Sequence, residues 1–467
     1  MKSWLSACLL LILVSGFPAA AFAQKADLDW NALGDEAVTL LSQYVQINTT
    51  NPPGDEIKAA RFLKSLFDKE GIENQIFEAA PGRASIFARL KGDGSKKAVV
   101  LLNHMDVVPV DQRYWTADPF GGVIKDGFIW GRGTLDMKGT GIVEAMSMIV
   151  LKRQNASLKG DVIFLGVADE EEGGAKGAGY MTKEHADLLK GVGVVINEGG
   201  SLFTADSGEV LFYSIDVAEK SPLWLKLTAT GVPGHGSLPR ADSAANKLVR
   251  ALERVINYKT PLKVLPDVQR YFAEIGPILP FPNRDAFKDL GSSLQDPAFA
   301  SAFTANPIFN AQVRNTISLT VITGSNKTNV ISPEASAHLD IRLLPGEDPN
   351  ALIADLRKVM ADDSIKVDVI QTFIAGASPS QGELFRVISD LAKKRDPGVP
   401  IVPSLLYAFT DCHFFRDIGI PCYGFVPFKL SSKELAGIHG NDERVSVENV
   451  KDGSRMMYDI VNGLAIE

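Results

Sequence analysis

The chain has 467 residues, more than one ordinary hydrophobic core organises, which points to two domains. Hydrophobic residues make up 45% and charged residues 22%, a balance that excludes a disordered chain. The net charge of −8 argues against nucleic acid as a partner, because that binding needs a basic face.

Residues 1–23 hold Lys2, an apolar run at 9–14 and the small-x-small stretch Ala21-Phe22-Ala23. They read as a secretory signal peptide whose apolar part is too short to span a bilayer, so no stable membrane anchor is expected. The mature protein is expected in the periplasm or outside the cell. Cys8 leaves with the signal, and Cys412 and Cys422 remain. An exported compartment permits a disulfide between them, but their spacing leaves the pairing open.

The mature chain begins with amphipathic segments at 36–47 and 55–70. Apolar runs follow at 98–103, 162–168 and 191–197, with a helical pattern at 139–152 between the first two. Such runs separated by helices predict a mostly parallel sheet covered on both faces. From residue 223 the pattern changes. Strands are expected at 223–230, 316–323, 335–343 and 364–370, with helices at 242–258 and 350–361, the second capped by Asp348. Strand, helix, strand, strand, helix, strand is the order of a ferredoxin-like α+β unit. A Pro- and Phe-rich segment at 260–312 reads as an insertion covering something apolar. Helices at 381–394 and 446–464 and strands at 401–404 and 421–427 then resume the α/β pattern. The expected architecture is an α/β domain (24–218 and 373–467) interrupted by a smaller α+β domain (219–372).

Several polar residues end these apolar runs. The run at 162–168 stops at Asp169-Glu170-Glu171-Glu172-Gly173-Gly174. A solvated turn is the plain reading of such acids, whereas a hydrolytic metal site needs one to hold a cation and one to handle a proton. His104 and Asp106 follow the run at 98–103, and a strand's period of two would put them on one face. A metal-bound imidazole usually gives its other N–H to a carboxylate, and Asp106 is placed for that. Asp136 follows the glycine-rich Gly131-Arg-Gly133 and precedes a helix, which a helix cap would also explain. Glu198 ends the run at 191–197, and His439 lies in a late loop. The strand-borne residues share the C-terminal edge, where open α/β sheets place ligands. Imidazoles with carboxylates suit Zn²⁺.

On these segments (His104-Met-Asp106, Gly131-Arg-Gly-Thr-Leu-Asp-Met-Lys-Gly139, Asp169-Glu-Glu171 and His439-Gly-Asn-Asp-Glu443) the chain resembles the zinc-dependent aminoacylase and carboxypeptidase family. That family includes glutamate carboxypeptidase, acetylornithine deacetylase and succinyl-diaminopimelate desuccinylase. The carboxypeptidase S-like branch, which also holds secreted N-fatty-acyl amino acid hydrolases of animals, looks closest. The resemblance implies two Zn²⁺ ions, replaceable by Co²⁺ or Mn²⁺. Asp136 would bridge them, His104 and Glu198 would complete one, and Glu171 and His439 the other. Glu170 matches the general base and Asp106 the residue that steadies His104. His235, in Gly231-Val-Pro-Gly-His-Gly-Ser237, matches a histidine that reaches the neighbouring subunit's site in a homodimer and stabilises the oxyanion. Asn329 and Arg342 match residues that receive the substrate's carboxylate. The chain departs from many relatives at His413, where they carry arginine.

The expected activity is an exported di-zinc hydrolase that splits the amide between an acyl or peptidyl group and a C-terminal amino acid. Two alternatives share the fold: a hydrolase or synthase of long-chain N-acyl amino acids, suggested by the apolar insertion, and a catalytically silent binding protein.

Overall fold

The computed structural model describes residues 28–279, 281 and 283–466; the proposed signal peptide at 1–23 lies outside them. An eight-stranded sheet orders its strands as Glu73–Ala80, Arg83–Leu90, Val162–Val167, Ala98–His104, Val192–Thr204, Cys422–Leu430, Val210–Glu219 and Ile401–Leu406. Its centre is parallel: Ala98–His104 pairs in parallel with both Val162–Val167 and Val192–Thr204, and Cys422–Leu430 extends the parallel set. The apolar runs are continuous because both faces are covered. Val99 and Leu101 join one buried cluster, while Val100 and Leu102 join another on the opposite face. Helices Trp30–Val45, Lys138–Arg153 and Val447–Ala465 pack together on the first face. The second face carries Ala178–Glu184 and Cys412–Asp417. Cys412 and Cys422 are bonded there, with Cα atoms 5.3 Å apart.

A four-stranded antiparallel sheet orders Thr316–Thr323, Glu334–Leu343, Ser221–Thr230 and Lys366–Thr372. Helices Ala244–Asn257 and Pro349–Met360 close its core, and Asp348 caps the second by accepting from the Asn350 N–H at 2.9 Å. The fold is therefore α/β with a smaller ferredoxin-like unit inserted.

Three strands of the large sheet escape the sequence patterns: Glu73–Ala80, Arg83–Leu90 and Val210–Glu219. The first is a partly exposed edge of mixed polarity, so no apolar run marks it. The described residues of the segment at 260–312 are largely helical, and their phenylalanines form one end of the large domain's core. Phe272 meets Phe303 at 5.0 Å, Phe309 at 5.1 Å and Phe287 at 5.8 Å, and Phe272, Phe287 and Phe303 are fully buried. The segment packs on Ile401–Leu406, where Gln312 Nε2 donates to the Leu405 carbonyl at 2.7 Å. What it covers is an edge strand of the large sheet, which would otherwise present unpaired backbone groups.

Candidate metal centre

Strand ends deliver the first ligating groups. His104 closes its strand with the ring 1% exposed, and Nδ1 donates to the Asp106 carbonyl at 3.0 Å. That bond turns Nε2 toward Asp136 Oδ1, 2.9 Å away, with Glu198 Oε2 at 3.6 Å. Asp106 lies beyond the strand, so it does not share a strand face with His104. Its carboxylate stands 3.5 Å from His104 Nδ1, and the steadying contact is chiefly its backbone carbonyl. The Asp106 carboxylate instead accepts from the N–H groups of Glu170 and Glu171, at 3.3 and 3.2 Å, and from Asn51 Nδ2 at 2.8 Å. It fixes the acidic turn relative to His104.

That turn begins in a left-handed residue, Asp169, with φ 73°. Asp169 is not part of the cluster. Buried Arg83 binds it at 2.7 Å and binds Glu56 at 2.7 Å as well. This buried triad holds the turn from behind, and sequence reasoning missed it because its members lie far apart in the chain.

Asp136 is delivered by a loop that needs its glycines. Gly133 has φ 90°, and a Cβ there would come within 2.9 Å of Val107. Glu443 Oε1 accepts from the N–H groups of Leu135 and Asp136, at 2.8 and 3.2 Å, while Oε2 binds Arg132 Nη1 at 2.7 Å. Arg132 also donates to the Gly440 carbonyl at 2.8 Å. These bonds lash the Asp136 loop to the loop bearing His439. The Arg132–Glu443 pair is buried on both sides, and removing one partner of such a pair typically costs about 3–5 kcal/mol.

His439 Nε2 lies 3.0 Å from Asp136 Oδ2 and 3.3 Å from Glu171 Oε2. Its side chain is 54% exposed, so this is the open side of the cluster. The two oxygens of Asp136 thus each face a different imidazole. The His104, Asp136 and Glu171 ligand atoms lie within 4.8 Å of one another, as do those of His104, Glu170 and Glu198. Glu170 is 8% exposed and forms no ion pair among the described contacts.

The electrostatics fit a cation. Burial pushes the Glu170 carboxyl well above the usual range, and neighbouring Glu198 adds to the rise. Burial and then Asp136 push Glu171 up to about 7. Burial opposes charge on His104, but Glu198, Asp106 and Asp136 outweigh it and hold its pKa well above the ordinary value. Hydrogen bonds to Asp136 and Glu171 lift His439 to about 10. No lysine or arginine pairs with Asp136, Glu170, Glu171 or Glu198 among the described residues. Buried Glu171 Oε1 has no hydrogen-bond partner. Carboxylates crowded without a lysine or arginine partner, with one acceptor left open, are matched by a divalent ion.

The remaining candidates lie elsewhere. His235 is exposed on a two-residue strand, its Nδ1 2.7 Å from Ser237 Oγ. That strand pairs with Val330–Ile331, and Asn329 is exposed beside it. Arg342 sits at the opposite end of the small sheet, paired in register with Pro222, whereas Glu334 pairs with Thr230 near the His235 hairpin. Eight residues of strand separate the two ends, on the order of 25 Å. Within one chain, Asn329 and Arg342 therefore stand too far apart to meet one carboxylate.

Comparison with known proteins follows the same line. The sequence pattern described as Peptidase family M20/M25/M40 matches residues 100–463. The Dictyostelium discoideum protein named "Probable carboxypeptidase S-like 2" is 30% identical over 417 residues, covering 87% of this chain and 79% of its own length. The N-fatty-acyl-amino acid synthase/hydrolase of Mus musculus is 28% identical, covering 80% and 76%. Among solved structures, an M20 family metallo-carboxypeptidase from Sulfolobus solfataricus superposes with a TM-score of 0.71 at 18% identity, covering 92% of this chain and 99% of that one.

Proposed function

Because the chain belongs to peptidase family M20/M25/M40, as its match over residues 100–463 establishes, we propose that it is an exported di-zinc hydrolase that cleaves the amide joining an acyl or peptidyl group to an amino acid with a free carboxylate. At the coarser level it is a metallo-amidohydrolase of the carboxypeptidase or aminoacylase type. The observation carrying the finer reading is the split of Asp136, with one oxygen toward His104 and the other toward His439.

In this reading His104, Glu198 and Asp136 would hold one ion, and His439, Glu171 and Asp136 would hold a second. Bound ions supply Lewis-acid polarisation of the scissile carbonyl and an acidified water. Glu170, which makes no contact with either imidazole at hydrogen-bond range, takes the water's proton and hands it to the departing amine. Asp106 keeps that base and His104 in fixed relation through the bonds described above. Arg342 receives the substrate carboxylate. His235 and Asn329, far from the Arg342 end of their own chain, serve a second copy in a homodimer, where His235 stabilises the oxyanion. Export rests on residues 1–23 and agrees with the Cys412–Cys422 disulfide, which suits an oxidising compartment.

The test is a hydrolysis screen of the zinc-loaded mature protein against dipeptides, N-acetyl amino acids and N-lauroyl amino acids. Release of the C-terminal amino acid from at least one series is expected, and the series cleaved fixes the acyl group. Selectivity for the N-lauroyl series would favour the long-chain reading. Zinc bound with no hydrolysis across the panel would overturn the proposal in favour of a silent binding protein.

A further inference from the structure

Arg342 has a distinctive setting. Asp340 holds its Nε at 2.7 Å and its Nη2 at 3.1 Å, while Nη1 is buried and has no hydrogen-bond partner. A guanidinium held along one side with an enclosed donor to spare fits an incoming carboxylate. The same guanidinium lies 4.9 Å from the Phe409 ring centre and 5.7 Å from that of Trp224. Phe409 meets Phe373 edge-on at 5.4 Å. Phe373 stacks on His413 at 3.7 Å with the rings 10° from parallel, and His413 meets Phe414 at 3.8 Å. Phe414 then reaches the acidic turn: a Cβ on Gly174 would come within 2.7 Å of its ring and 2.3 Å of Asp411 Oδ1. A continuous aromatic surface thus runs from the guanidinium to the turn bearing Glu170 and Glu171.

This surface is neither core nor ordinary exterior. Trp224, Phe373, Phe409 and Phe414 are each half-buried, whereas His413 behind them is buried. His413 Nδ1 donates to the Thr410 carbonyl at 2.8 Å, and burial pushes its pKa down to about 4, so it is neutral. Between the guanidinium and the turn the rings therefore carry no charge, and the buried Asp411 carboxylate stands at the turn end beside Gly174. A charged substrate side chain laid on Phe409 and Phe373 would lose water without gaining an ion pair from the rings themselves. A ring or branched aliphatic chain would gain contact with Phe409 and Trp224 while its carboxylate reached Arg342.

We infer that the amino acid released by the reaction carries a large apolar side chain, preferably aromatic, which packs on Phe409, Phe373 and Trp224 beside Arg342. This inference rests on the hydrolase reading and narrows its substrate. His413 is a positioning residue: it fills the slot between Phe373 and Phe414 and keeps the wall neutral.

The experiment is to measure kcat/KM of the metal-loaded mature protein for N-acyl derivatives of Phe, Leu, Ala, Asp and Lys, in both the N-acetyl and the N-lauroyl series. Within the cleaved series, Phe and Leu are expected to exceed Ala, Asp and Lys by at least about tenfold, the scale of discrimination by an apolar pocket. Phe409→Ala should shrink the Phe-to-Ala ratio, mainly through KM for the Phe substrate. Phe409→Leu, which preserves apolar volume, should shrink it less and guards against a folding defect. Equal rates across the side chains, or a preference for Asp or Lys, would overturn the inference and leave the hydrolase reading intact. An unchanged Phe-to-Ala ratio in both folded variants would also overturn it. Cleavage of no substrate in either series would remove the hydrolase reading and the inference together.

Discussion

Replacing Glu170 by glutamine is expected to lower kcat by about 10²- to 10⁴-fold, the range a positioned general base contributes, while the bound metal stays unchanged. Glutamine keeps the volume and a hydrogen-bonding oxygen but cannot accept the water's proton. The wild-type carboxyl is suited to carrying that proton because burial and Glu198 raise its pKa. Metal content is the discriminating second readout. Glu170 lies close enough to His104 and Glu198 for its oxygen to join them around an ion. The other carboxylates of the cluster each contact an imidazole within 4 Å, and among the described residues Glu170 pairs with none. Loss of metal on substitution would make Glu170 a ligand, and normal turnover would remove it from the chemistry.

Asp136→Asn should have a larger effect still, abolishing detectable turnover and lowering the bound metal from the proposed two ions to at most one. One oxygen of Asp136 is 2.9 Å from His104 Nε2 and the other 3.0 Å from His439 Nε2. An amide offers one acceptor oxygen and turns N–H groups toward the other position. It also removes the negative charge the two ions would share. Changes to outer partners of metal ligands typically cost 10–100-fold in affinity. Loss of a shared ligand should exceed that range, measured by equilibrium dialysis against zinc. A variant that retained both ions with near-normal affinity would remove Asp136 from its bridging role.

The cluster of candidate ligands was legible because its members interrupt strong local patterns. Glu170 and Glu171 end the buried strand Val162–Val167, His104 ends Ala98–His104, and Glu198 sits in a strand that begins with an apolar run. Charged or ionisable side chains at buried strand ends need a reason, and their shared sheet edge supplied one. The groups that hold the cluster were not legible in the same way. Arg83 joins Glu56 to Asp169, and Glu443 ties Arg132 to the Leu135 and Asp136 backbone, across separations of up to 311 residues. No local period encodes such pairings. The role of the Asp106 carboxylate shifted for a related reason, since the strand ends at His104 and the period of two does not continue past it. The insertion was legible in composition but not in role, because its phenylalanines pack on one another and on an edge strand whose position only the three-dimensional sheet order defines.

Anomalous diffraction from crystals of the zinc-loaded protein tests the cation cage most directly. Two peaks flanking Asp136 are expected, one beside His104 and Glu198 and the other beside His439 and Glu171. Peaks that leave Asp136 uncoordinated, or a single ion bound without it under saturating zinc, would contradict the account.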